Sequence, residues 1–195
     1  MKNTHATVAA GLLAAALTLA SSVHASGDSL QSSLTAASPA ASHDFDFLFG
    51  DWNVHHTLLK DRLAGCHEWF EFDGTSTVRA MMAGYGNVDD NVLNKPGGAY
   101  RAMTVRAFDP VSGQWAIWWV DGRNPLGDLD PAVKGRFQDG VGIFYADDTF
   151  RGKPVRVRFT WSQITPTSIH WEQAFSPDRG KTWETNWKSD FTRVR

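Results

Sequence analysis

A single cysteine, Cys66, stands in the 195 residues, so no internal disulfide and no thiolate-clustered metal site can form. It reads as a small buried hydrophobe, with an intermolecular bridge or a reactive thiol as the alternative. Charge of one sign is also lacking. Nineteen basic residues face 21 acidic ones, a formal net charge of −2, which argues against nucleic acid or an anionic membrane as partner. No apolar period of 3.6 residues persists beyond a turn or two, which removes helical bundles and α/β folds. Catalytic signatures are missing as well: there is no Gly-x-Ser-x-Gly, no His-Glu-x-x-His, no phosphate-cradling glycine loop and no haem-attaching Cys-x-x-Cys-His.

The one long apolar stretch, Ala6 to Ala20, is too short for a comfortable membrane span. With Lys2 before it and the small-x-small triplet Val23-His24-Ala25 after it, residues 1–25 read as a secretory signal peptide cut before Ser26. Its removal takes away Lys2 and no acid. No cysteine follows the cut, so a lipid anchor is not expected, and the mature protein is expected in the periplasm or outside the cell. Residues 26–42, rich in Ser and Ala, read as a flexible linker. Residues 43–195 are one domain's worth of chain.

What the domain has in abundance is aromatic residues, nine Trp and twelve Phe, on segments of period two. Ten strands are expected: 52–58, 67–72, 76–83, 100–108, 114–120, 133–138, 141–145, 155–164, 169–176 and 182–192. Asp73-Gly74 reads as a turn between the second and third, 84–98 as a long polar loop, and Asp139-Gly140 as a hairpin pair. On the last strand Trp183, Thr185, Trp187, Ser189 and Phe191 alternate with Glu184, Asn186, Lys188 and Asp190. The fold class predicted is all-β, an antiparallel up-and-down barrel of about ten strands, because closure removes the edges such a meander would expose.

Phe45-Asp46-Phe47-Leu48-Phe49-Gly50-Asp51-Trp52 opens the domain and Arg193 nearly ends it. Gly50 permits a tight turn, and Trp52 is expected to plug one barrel end beneath the Arg193 guanidinium. Ser176-Pro177-Asp178-Arg179-Gly180-Lys181-Thr182-Trp183 matches the Asp-box, S-x-D-x-G-x-x-W; Asp178 accepts turn amides, Gly180 takes positive φ and Trp183 packs beneath. A single copy implies scaffold, and no glycosidase activity is carried over.

Over 44–195 the chain resembles a bacterial secreted family of unknown function. The resemblance is carried by the Phe-Asp-Phe-x-x-Gly-x-Trp opening and by Arg62-Leu63-Ala64-Gly65, Gly86-Asn87-Val88-Asp89, Phe108-Asp109-Pro110, Gly135-Arg136-Phe137, Gly140-Val141-Gly142 and Trp171 to Ser176. More loosely, Gly50-Asp51-Trp52 with Arg193 is similar to lipocalins and their calycin relatives. That likeness implies a barrel enclosing a small apolar ligand, although the second lipocalin motif and its disulfide pair are absent.

Inward rings with a few polar groups describe an apolar cavity, and Trp119, Trp161, Trp171, Gln173, Trp187 and His56 are the ligand-binding candidates. The function expected is binding of a small hydrophobic or aromatic molecule. Alternatives are a barrel enzyme of hydrolase or isomerase type using His56 and a cavity acid, or a protein interaction module. The acids available are Asp89, Asp90, Glu71, Glu172 and Glu184. Glu68/Glu71 and Glu172/Glu184 could pair as catalytic carboxylates, or be neutralised by Arg79, Arg156 and Arg158. No cofactor is expected, haem ligated through His56 being the one that the pattern leaves open.

Overall fold

A computed structural model describes residues 40–195; the signal-peptide reading and all but the end of the linker reading lie outside the described residues. Ala40–His43 forms a 3-10 turn and Ser42 is buried, so the described fold begins before His43. Ten antiparallel strands follow: β1 (Gly50–Leu59), β2 (Trp69–Met81), β3 (Gly86–Leu93), β4 (Tyr100–Asp109), β5 (Gln114–Asp121), β6 (Val133–Gln138), β7 (Val141–Phe150), β8 (Lys153–Ser162), β9 (Ser168–Ser176) and β10 (Glu184–Arg193). Each pairs with its chain neighbour, and β1 pairs with β10 to close the barrel. Among the described residues no helix is long and apolar enough to cross a membrane.

The count of ten matches the sequence reading through two compensating errors. Asp73-Gly74 is not a turn: β2 runs unbroken through it, with Asp73 opposite His55 and Gly74 opposite Val54. Gly74 faces the lumen, where a Cβ would lie 2.3 Å from the Val92 carbonyl oxygen and 3.2 Å from His56 Nε2, so glycine there admits close backbone and ring approach. The supposed polar loop contains β3, which pairs with β2 and β4 along its whole length. At the predicted hairpin, Asp139 (φ 51°) and Gly140 (φ 78°) both take the left-handed conformation that a two-residue turn needs.

A third correction concerns β10. A bulge between Thr185 and Trp187 inserts Asn186, so Glu184 shares the inner face with Phe175 while Thr185 opposes Ala174 on the outer one. Trp183 consequently lies outside, against Tyr145 (ring centroids 5.9 Å apart) and under the Arg158 guanidinium at 4.4 Å. Below the bulge the parity holds, and Trp187, Ser189 and Phe191 face inward.

The plug forms as the opening motif implies. Trp52 is fully buried, its indole N–H donates to the Leu48 carbonyl at 2.8 Å, and Arg193, its register partner, lies 4.1 Å above the ring. The Arg193 fork donates to the carbonyls of Phe49 (2.6 Å), Phe47 (2.7 Å) and Pro166 (2.7 Å). Gly50 sits at φ 111°, where a Cβ would meet the guanidinium at 2.9 Å. Phe45 drives into the same end, with edge contacts to Trp115, Phe137 and Trp161 at 5.0, 5.0 and 5.8 Å.

In the turn from Ser176 to Trp183, the Asp178 carboxylate accepts the Thr182 hydroxyl and amide, the Ser176 hydroxyl and the Lys181 amide, which together hold its pKa down at about 2. Gly180 takes φ 91° and the Trp183 indole donates to its carbonyl. Because the turn lies outside the lumen, Asp178→Ala is expected to lower the thermal midpoint without weakening ligand binding. Calorimetry and a dye titration on the same sample check both halves of that expectation.

Candidate functional site

Above the plug the barrel is hollow. A cavity of about 480 Å³ opens toward the mouth of the barrel and the β5–β6 connection, residues 122–132, in which Leu126 is 98% exposed. All six ligand-binding candidates, His56, Trp119, Trp161, Trp171, Gln173 and Trp187, line it.

The lumen has two unlike walls. From β8, β9 and β10, Phe159, Trp161, Trp171, Phe175, Trp187 and Phe191 present ring faces and edges, with Trp171 edge-on to Phe159 at 5.0 Å and to Trp187 at 5.7 Å. From β3 and β4 come Asp89, Asn91, Thr104 and Arg106. Arg106 and Asp89 form an ion pair at 2.7 Å with each side chain only 3% exposed. Asp89 also accepts the Thr104 amide at 2.7 Å and the Asn91 side-chain amide, while Arg106 donates to Asn87 Oδ1 at 2.9 Å. The guanidinium lies 5.4 Å from the Phe45 ring and 5.5 Å from that of Trp161, so the ion pair rests directly on the aromatic floor. Nε of Arg106 and Nδ2 of Asn87 are buried and have no hydrogen-bond partner among the described residues.

This polar wall is what sequence reading missed. Asp89 was only one of several acids, and Arg106 was not singled out. The signal that could have found them is polar: Asn87, Asp89 and Asn91 share one parity, as do Thr104 and Arg106 on the neighbouring strand.

His56 occupies the junction between the walls. Its ring stacks on Phe72 at 4.7 Å, and Nδ1 lies 2.8 Å from Ser189 Oγ and 3.3 Å from the Trp187 indole nitrogen. An indole N–H can only donate, so Nδ1 is an acceptor and the neutral ring carries its proton on Nε2. Burial, reinforced by the nearby His55, pushes the His56 pKa down to about 4.

Between pH 6.5 and 4 the unfolded imidazole therefore binds a proton that the folded one does not. His56 thus withdraws stability as pH falls, by about 3 kcal/mol once pH 4 is reached. On the outer face the sign is opposite. Burial works against the charged form of His170, but hydrogen bonds to Asp190 and Glu172 prevail and raise its pKa, so its contribution is present in acid and lost as pH rises above its normal range. Guanidinium denaturation at pH 7 and pH 4.5 is expected to show a smaller acid loss for His56→Gln than for the unaltered protein.

The candidate acids are not brought together as catalytic pairs. Glu71 lies on the outer face beside His55 (3.6 Å), Glu68 pairs with Lys60 (2.8 Å), Glu172 with His170 (3.2 Å), and Asp90 with Arg101. Glu184 accepts the Leu63 amide at 2.7 Å. Of the arginines, Arg79 approaches Asp51 at 3.9 Å, while Arg156 and Arg158 lie over Tyr145 and Trp183. Among the described residues no cluster of three His, Cys, Asp or Glu side chains could hold a metal ion.

No family model and no curated protein matches the chain, so the likeness to a secreted family of unknown function rests on the quoted segments alone. Among solved structures, the barrel is similar to that of the S-type phycobiliprotein lyase CPES from Guillardia theta. The TM-score is 0.55 at 10% identity, covering 77% of this chain and 90% of that one. At that identity the likeness establishes the fold alone, a closed antiparallel β-barrel.

Proposed function

We propose that the barrel binds a small, flat, largely apolar molecule carrying polar atoms along one edge. The observation that supports this best is the two-walled lumen, in which tryptophan and phenylalanine rings stand opposite Asn91, Thr104 and the Asp89–Arg106 pair across about 480 Å³ of space. A ring system stacks on the first wall and directs its heteroatoms to the second. With residues 1–25 read as a signal peptide, this binding would take place in the periplasm or outside the cell.

N-phenyl-1-naphthylamine, a neutral dye, is expected to bind 1:1 and quench indole fluorescence. Trp187→Ala should weaken it roughly tenfold, and Lys188→Ala, on the outer face over Trp69, should leave it unchanged. A folded barrel that takes up no dye would overturn the reading in favour of an interaction module.

The likeness to a lyase keeps catalysis as a second reading, and one contact favours it: Ser189 Oγ lies 2.8 Å from His56 Nδ1 inside the cavity. Against it, a base with a pKa of about 4 that also accepts the Trp187 N–H is a weak proton acceptor, and among the described residues no carboxylate orients the ring. Covalent labelling of Ser189 by a fluorophosphonate would turn the argument toward a hydrolase. Haem does not fit His56 well, because Nδ1 is engaged and Nε2 lies against the wall over Gly74. A haem titration is expected to give no Soret band that depends on His56.

A further inference from the structure

Three cationic side chains converge on the cavity mouth: Arg62 from the β1–β2 connection, Lys95 from the β3–β4 connection, and Arg123 just after β5. Arg123 is neutralised by Asp121. Arg62 and Lys95 have no carboxylate within ion-pair distance among the described residues.

Arg62 is drawn over the inner aromatic wall, its guanidinium 5.7 Å from the Phe175 ring and 6.0 Å from that of Trp187. Lys95 Nζ stands 5.3 Å over Phe70. Both are held below their ordinary pKa, first by burial; for Lys95 the nearby Arg123 and Arg62 add to the effect, and for Arg62 the Arg151 charge opposes protonation while Tyr100 and Glu184 partly restore it.

Neighbouring contacts fix where Arg62 points. Arg151 Nη1 lies 2.7 Å from Asp61 Oδ1, and the Leu63 amide, in a left-handed residue (φ 56°), donates to Glu184 at 2.7 Å. A guanidinium preorganised at the rim of an apolar cavity, beside a second unpaired cation, costs free energy unless an anion meets it. Asp128, Asp130 and Asp148 also line the cavity, so an acid group would be repelled by them and drawn to the unpaired Arg62 and Lys95.

Resting on the carrier reading, we infer that the ligand is an amphipathic organic anion, seated ring end first, whose carboxylate or sulfonate-like group is held at the mouth between Arg62 and Lys95. Guanidinium offers such a group a two-point hydrogen bond, ammonium a point charge, and the aromatic wall below receives the apolar body.

Two dyes that share their rings and differ by one acid group test this. 1-Anilinonaphthalene-8-sulfonate is expected to bind roughly fivefold or more tighter than neutral N-phenyl-1-naphthylamine, a preference that weakens with added salt. The double variant Arg62→Gln, Lys95→Gln, checked by near-ultraviolet circular dichroism for native packing, should lose that preference while keeping the neutral dye within about twofold. Equal affinities in the unaltered protein, or an equal loss of both dyes in the variant, would overturn the anion assignment and leave the carrier reading standing. Binding of neither dye would remove both.

Discussion

Trp52→Ala is expected to cost roughly 3 to 5 kcal/mol. The ring is fully buried and closes the end of the lumen, and its removal opens a void that Phe45 and Phe191 are too constrained to fill. It also leaves the Leu48 carbonyl without its indole donor. Arg193→Ala is expected to cost less, about 2 kcal/mol, by releasing the carbonyls of Phe47, Phe49 and Pro166. The guanidinium stands 4.1 Å from the Trp52 ring, so the double variant should be less damaged than the sum by about 0.5 to 2 kcal/mol. Strict additivity in chemical denaturation would mean the stack contributes nothing beyond burial.

The second large effect belongs to the lumen. Asp89→Ala is expected to destabilise the fold by roughly 3 to 5 kcal/mol, because it strands a guanidinium that is 3% exposed and, among the described residues, keeps only Asn87 as a hydrogen-bonding neighbour. Replacing both partners together, Asp89→Leu with Arg106→Met, is expected to restore most of that stability, since the desolvation cost of two ions disappears with them. The two variants separate stability from function. If the polar wall receives the ligand's heteroatoms, the paired replacement should fold well and bind a polar-edged ligand poorly, while the neutral dye is retained. A paired replacement that stays as unstable as the single one would mean the ion pair organises β3 and β4 in a way that shape alone does not supply.

The aromatic half of the site was legible from the sequence because large rings at period two on β8, β9 and lower β10 have one sensible place to go. The polar half was not. Asn87, Asp89 and Asn91 carry strong turn preferences, and reading them by composition hid the alternation that makes them a strand. On β4, Met103 is 40% exposed while Arg106 is buried, so charge lies inside and hydrophobe outside. Such inversions need a partner on the next strand to be tolerable, and partners across strands are invisible along the chain. Gly74 misled for a related reason, since glycine marks both turns and close approaches, and only the His56 ring above it tells which. The bulge at Asn186 leaves no mark at the level of alternation, so every residue before it on β10 was assigned to the wrong side.

Arg193 reaches back across 146 positions to the Phe47 carbonyl, and β10 zips onto β1 residue by residue from Trp52↔Arg193 to Leu58↔Trp187. The seam that completes the sheet therefore joins its earliest strand to its latest. Until β10 has been synthesised, β1 has an open edge and the plug lacks the arginine that pins it, so nine strands wait as an unsealed sheet. A closing pairing this distant in sequence is expected to form late, with its loop-closure entropy met only at the last step. During synthesis, the nascent chain would carry its aromatic face unprotected until that seam closes.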